Sequence, residues 1–135
     1  MRFLDTNILL RYFTKDDEAK AHKALALLQR IERREERAET SLPVIFETVF
    51  TLQRRYHVQR TKIKTLLLPL LRLRWLRLPG KSLCLAALDL YVQHNISYVD
   101  AFNACYMQAK GITEVYSWDE DFDRIAGITR IEPKE

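Results

Sequence analysis

Glycine is scarce in this chain, with three residues in 135, and proline occurs at four positions. So few breakers exclude a collagen-like or low-complexity polypeptide. With 47% apolar and 30% charged residues, the composition is that of a folded, helix-rich domain and not of a disordered chain. Cysteine occurs twice, as Cys84 and Cys105. Two cysteines in apolar helical surroundings make no disulfide framework and no metal spacing, so they read as buried free thiols of a cytoplasmic protein. The three histidines, His22, His57 and His94, are too scattered for a zinc site. Long hydrophobic runs are missing as well. The longest, LLLPLL at 66–71, is too short to span a bilayer and contains Pro69. The N-terminus lacks the positive region and apolar stretch of a signal peptide. There is no GxGxxG fingerprint and no P-loop, and no serine or cysteine stands in a nucleophile elbow. A dinucleotide enzyme, a nucleoside triphosphatase and a serine or cysteine hydrolase are therefore unsupported.

Acid is missing from one long stretch. Between Thr48 and Leu88 there is no Asp or Glu, while Arg54, Arg55, Arg60, Lys62, Lys64, Arg72, Arg74, Arg77 and Lys81 fall inside it. Nine positive charges in a chain of net charge +4 leave the remainder at −5. A basic block beside an acidic remainder points to a polyanionic partner such as nucleic acid. The plainer reading is a set of amphipathic helices whose polar faces are Arg and Lys. Arg54, Arg55, Arg60, Lys62 and Lys64 are the candidate backbone contacts. Tyr56 and Trp75 are candidates for base stacking, although core packing suits Trp75 better.

What is present alternates. Arg2–Leu4 reads as a strand, Asn7–Phe13 as a short helix and Asp16 to about Arg34 as a longer one. In the longer helix Ala21, Ala24, Leu25, Leu28 and Ile31 recur at helical spacing. A second strand falls within Glu35–Thr40. Helices follow at Leu42–Tyr56, with Pro43 in the first turn, and at Thr61–Leu71. A strand at Trp75–Leu78 stops at Pro79-Gly80. Helices at Ser82–Gln93 and Tyr98–Lys110 precede strands at Glu114–Trp118 and Ile128–Ile131. Short strands alternating with helices predict one α/β domain, a parallel sheet covered on both faces. In such sheets ligands gather outside the carboxyl ends of the strands.

Four acids fall at positions where that mouth would form. Asp5 follows the first strand and Asp119 follows VYSW at 115–118. Asp100 stands at the start of a helix, and Glu47 is the only charge between Leu42 and Gln53. Each also has a structural reading. Asp5 suits a helix N-cap, Asp100 a capping box with Ser97, and DEDFD at 119–123 an acidic helix start. Glu47 shares a face with Thr51 and Arg54, which suits an exposed polar stripe equally well. Brought together, carboxylates repel unless a cation neutralises them, and hard oxygens suit Mg²⁺ or Mn²⁺. Such ions serve phosphodiester hydrolysis.

Four segments then carry a resemblance: FLDTN at 3–7, SLPVIFETVFTL at 41–52, SYVDAFNACYMQAKG at 97–111 and VYSWDEDFDRIAGITRIEP at 115–133. In this order and at these separations the chain resembles the PIN domain, and more closely the VapC-type toxins of toxin–antitoxin pairs. The resemblance covers essentially the whole chain and implies a single PIN domain over residues 1–135. It implies a three-layer α/β fold with a parallel sheet of four or five strands in the order 3-2-1-4-5. It implies an endoribonuclease dependent on Mg²⁺ or Mn²⁺, with Asp5, Glu47, Asp100 and Asp119 as catalytic and metal-binding residues and Asp121 as a secondary acid. Thr6, Asn7 and Ser117 match supporting polar positions, with Thr6 expected to cap the helix and orient Asp5. Spacing inside one turn does not separate Asp119, Asp121 and Asp123 as ligands. The resemblance further implies an RNA substrate, a cognate antitoxin, a homodimer, and operator DNA bound only through the antitoxin complex, with no membrane partner. A nuclease of RNA maturation or surveillance and a non-catalytic RNA-binding module are the alternatives.

Overall fold

Arg2–Phe3 form the first strand, β1. The ladder continues one residue further, because the Leu4 amide donates to the Glu39 carbonyl at 2.8 Å. Asp5 therefore stands directly past a strand end. This computed structural model describes residues 1–135 and divides them into two compact units, Met1–Lys81 and Ser82–Glu135.

In the first unit α1 (Thr6–Thr14) follows at once and buries Leu9. It ends at Lys15 in the left-handed conformation, φ 56°. The elbow after it is tied by Asp16, whose carboxylate accepts hydrogen bonds from Arg11 at 2.8 Å, Thr14 at 3.0 Å and Tyr56 at 2.9 Å. The Tyr56 hydroxyl and then the Arg11 guanidinium hold that carboxyl at about 2, well below its ordinary value. Asp17 is the N-cap of α2 (Glu18–Glu32) and accepts from the Lys20 amide at 3.1 Å. Strand β2 (Ala38–Glu39) pairs in parallel with β1, Arg2 opposite Ala38. Helix α3 (Leu42–Arg54) carries its proline in the first turn and buries Val44, Ile45, Val49 and Leu52. Helix α4 (Arg60–Leu71) runs on through Pro69 and buries Ile63, Leu67, Leu70 and Leu71. Strand β3 (Leu76–Arg77) lies parallel to β2, Ala38 opposite Leu76. The Lys81 ammonium donates to the carbonyls of Leu73 and Leu76 at 2.8 and 2.5 Å, and burial lowers its pKa.

The second unit is built from α5 (Lys81–Gln93) and α6 (Tyr98–Lys110). The two are joined by the Tyr98 hydroxyl, which donates to the Cys84 carbonyl at 2.7 Å. The rings of Tyr91 and Tyr98 add an edge-to-face contact at 5.7 Å. Gly111 ends α6 at φ 70°, a conformation that costs glycine little. Strand β4 (Glu114–Tyr116) pairs in parallel with β5 (Thr129–Ile131), Val115 opposite Arg130. Both cysteines are buried free thiols, as expected, and burial pushes the Cys84 thiol up to about 11.

The ladders β3-β2-β1 and β4-β5 are two runs of the expected strand order, and every expected helix and strand is present within a few residues of its expected ends. Two local readings are refined. Leu25 is 38% exposed, because the buried stripe of α2 is narrower than its apolar residues and is carried by Ala21, Ala24, Leu28 and Ile31. Leu25 instead lines a cleft of about 890 Å³ among α1, α2 and α4, with Leu28, Leu66 and Leu70 on its walls. The acidic stretch after β4 forms a 3₁₀ helix, Glu120–Arg124, in place of a regular helix start. No helix is long and apolar enough to cross a membrane.

Candidate metal centre

The loop after β4 is held at Ser117 and at Asp119. The Ser117 amide donates to the Ile131 carbonyl at 3.1 Å. The Asp119 amide donates to the Ser117 hydroxyl at 2.9 Å, and the Asp119 carboxylate accepts from the Asp121 amide at 2.9 Å. This last contact starts the 3₁₀ helix. In the same unit, Ser97 caps α6 by accepting from the Asp100 amide at 3.1 Å, which sets Asp100 in the first turn. The result is a cluster: one carboxylate oxygen each from Asp100, Asp119 and Asp121 lie within 4.8 Å of one another. Asp100 and Asp121 are half-buried, Asp119 exposed.

The charges in this cluster oppose one another. Burial, then the nearby Asp119 carboxylate, raises the pKa of Asp100, with Asp121 adding to the effect and the Ser97 hydroxyl opposing it. A cation between the oxygens would remove that penalty. The donor set is all oxygen, which fits Mg²⁺ or Mn²⁺ and not a soft metal. Asp119 thus plays two parts, a cap for the Asp121 amide and a member of the acid cluster.

Asp123, the third aspartate of that turn, is outside the cluster. Arg130 on β5 donates to both of its carboxylate oxygens, at 3.2 and 3.3 Å. The same guanidinium reaches Glu132 at 2.9 Å and the Ser117 carbonyl at 3.3 Å. Arg130 therefore ties β5 to both ends of the acid-bearing loop, a role the sequence reading missed. The only signal was a basic residue in the last strand, between acids at 123 and 132.

Asp5, Glu47, Thr6 and Asn7 belong to the first unit. Asp5 occupies the N-cap position of α1 with extended backbone, but its side chain caps nothing. The carboxylate is exposed and uncommitted to the helix. Thr6 does not cap the helix as expected. It is already inside α1, 4% exposed, and its hydroxyl donates across to Glu47 on α3 at 3.1 Å. Glu47 therefore meets the residue next to Asp5, and Asn7 lies exposed in the same first turn of α1.

The basic block is not uniform. Arg54 and Arg55 are exposed at the end of α3, over the rings of Phe50 and Tyr56 at 5.6 Å each. Lys62 is exposed, and Arg60 and Lys64 half-buried, on α4. Lys81 is turned inward, as described above. The two aromatic candidates are engaged: Tyr56 holds Asp16, and half-buried Trp75 lies under the Arg37 guanidinium at 4.5 Å.

A family model described as the PIN domain matches residues 2–128. No curated protein matches the sequence. Among solved structures, VapC20 of Mycobacterium tuberculosis, described as a sarcin-ricin loop cleaving toxin, is similar. It is 25% identical over 98% of this chain and 100% of that one, with a TM-score of 0.40.

Proposed function

Because the chain belongs to the PIN-domain family, a family of nucleases, we propose that it is a metal-dependent endoribonuclease of the VapC toxin type. The observation that carries this reading is the cluster of Asp100, Asp119 and Asp121, three carboxylate oxygens within 4.8 Å. In our reading these acids hold Mg²⁺ or Mn²⁺, and Asp5 and Glu47 complete the catalytic set on the strength of the FLDTN and SLPVIFETVFTL motifs. The ion, when bound, supplies Lewis-acid chemistry, making water more acidic and neutralising phosphate charge. The protein's share is to hold the acids. Ser97 and Ser117 fix the backbone amides of Asp100 and Asp119, Arg130 keeps Asp123 aside, and Thr6 orients Glu47.

The rest of the proposal follows from the same motifs. Residues 1–135 act as one PIN domain, a homodimer pairs with a cognate antitoxin, and operator DNA is bound through that complex. We assign the antitoxin to the cleft of about 890 Å³ among α1, α2 and α4, where Leu25, Leu28, Leu66 and Leu70 form an apolar wall edged by Lys15, Glu18, Glu32 and Lys62. That pattern suits the apolar face of an amphipathic helix. The backbone of the RNA substrate is assigned to Arg54, Arg55, Arg60, Lys62 and Lys64.

The test is incubation of the purified chain with labelled single-stranded and hairpin RNAs in Mg²⁺, Mn²⁺ or EDTA. Cleavage in either metal and none in EDTA is expected. Binding without cleavage under all three conditions would instead favour the RNA-binding module. A neighbouring reading frame for a small protein that co-purifies with the chain separates the toxin from a maturation nuclease.

A further inference from the structure

Trp118 is 71% exposed. A tryptophan seldom leaves so much of its ring in water, and this one makes no ring, hydrogen-bond or ionic contact within the chain. The residues on either side of it, by contrast, are anchored. On one side the Ser117 amide is bonded to Ile131 and the Ser117 carbonyl accepts from Arg130. On the other, the Asp119 amide is bonded to the Ser117 hydroxyl and the Asp119 carboxylate caps the 3₁₀ helix. A large apolar ring thus stands exposed between two anchored residues, one residue from a member of the acid cluster, with adjacent Cα atoms about 3.8 Å apart.

Charge narrows what such a ring can serve. The second unit holds Lys110, Arg124, Arg130 and Lys134 against nine acids, a net charge of −5. Arg130 is engaged by Asp123 and Glu132, and Arg124 by Asp121 and the Asn95 carbonyl. This unit therefore has little free positive charge with which to hold a nucleic-acid backbone by counterion release. A single strand can still be held there by stacking, since every base has a π-face and stacking on an aromatic ring is tolerant of sequence.

We infer that Trp118 is a stacking subsite for an unpaired base of the substrate, next to the bond that is cut. This inference rests on the nuclease reading of the acid cluster and adds to it a substrate-contacting residue outside that cluster and outside the basic block. It commits to an unpaired base, because a base in a duplex has its faces already stacked on its neighbours.

Two measurements test it. The first is steady-state cleavage of a single-stranded RNA in Mn²⁺ by the wild type and by Trp118→Ala and Trp118→Phe. Trp118→Ala is expected to raise KM by about 5- to 150-fold, the span of one lost base stack, with a smaller change in kcat. Trp118→Phe should recover most of the loss. Abasic sites flanking the cut bond should abolish the difference between wild type and Trp118→Ala. Equal KM values, or a difference that survives in the abasic strand, would overturn the inference while leaving the nuclease reading in place. The second measurement does not need turnover. In a Trp75→Phe background Trp118 is the sole tryptophan, and stopped-flow mixing with the same RNA in Mn²⁺ should quench its emission before any product forms. Unchanged emission at RNA concentrations that saturate cleavage or binding would count against the subsite. Quenching without cleavage would retain the subsite and remove the enzyme.

Discussion

Arg130 grips Asp123 by both carboxylate oxygens, at 3.2 and 3.3 Å, while Asp121, two residues earlier, pairs with Arg124 at 3.4 Å and still shares the cluster with Asp100. Asp119 and Asp121 share the cluster with Asp100, and Asp123 does not. The Arg130 side chain is only 15% exposed, while its partners Asp123 and Glu132 are open to solvent.

Replacing Arg130 by Gln should therefore loosen the loop and free Asp123. The expected result is a fall in Mn²⁺ affinity of about 10-fold or more, the usual cost of losing a group that orients metal ligands. Arg130→Lys, which keeps the charge but not the two-pronged grip, should fall between. Calorimetric titration of the three proteins with Mn²⁺ measures this directly. Equal affinities would mean that the clamp only joins β5 to the loop.

The raised pKa of Asp100 makes a prediction about pH. In the folded protein this acid holds its proton to a higher pH than in the unfolded chain. Between the two values the folded state binds more protons, so stability declines as pH rises through that interval. In EDTA the melting temperature should fall as pH rises above the ordinary aspartate range, and Asp100→Asn should flatten the decline and melt a few degrees higher at neutral pH. Adding Mn²⁺ should stabilise the wild type at neutral pH and leave the variant little changed. A variant less stable than wild type in EDTA would show that the carboxylate supports the fold.

Arg54 and Arg55 are exposed at the end of α3. If they follow the RNA backbone, changing both to Ala should weaken binding and lower the slope of log K against log salt by about 1.4, two contacts at roughly 0.7 each for a single strand. Fluorescence anisotropy over a salt series reads the slope. An unchanged slope would move the RNA path elsewhere on the surface.

Leu25 lies on the wall of the cleft and not in the core. Leu25→Glu should therefore preserve the melting temperature to within a few degrees and preserve cleavage, while removing the protein encoded by a neighbouring antitoxin-like frame from the co-purified complex. Retained co-purification would relocate that interface. A large loss of stability would show that Leu25 belongs to the core after all.

Much of this was legible in the sequence because it is local. Ser97 and Asp17 announced their helices, Gly111 its helix end, and acids placed directly after strands marked where a site would be. What the sequence left open depends on contacts across the fold. The Thr6 hydroxyl has a cap of its own helix within reach, and only tertiary structure turns it to Glu47. Asp121 and Asp123 differ by two positions in one turn, and each takes its own arginine, Arg124 or Arg130, a pairing that spacing does not assign. The periodicity of α2 counts Leu25 with the core, because period alone does not give the width of the buried face. Tyr56 and Trp75 looked available for stacking until Asp16 and Arg37 were found against them, while Trp118 was hidden inside a strand motif.

The most direct test of the central claim is Mn²⁺ binding by the full chain, followed by calorimetry for the wild type, Asp100→Asn and Asp119→Asn, alongside RNA cleavage by the same samples. Saturable binding by the wild type is expected, with at least about 10-fold weaker binding by each variant and loss of cleavage in parallel. Cleavage and Mn²⁺ affinity unchanged in both variants would contradict it.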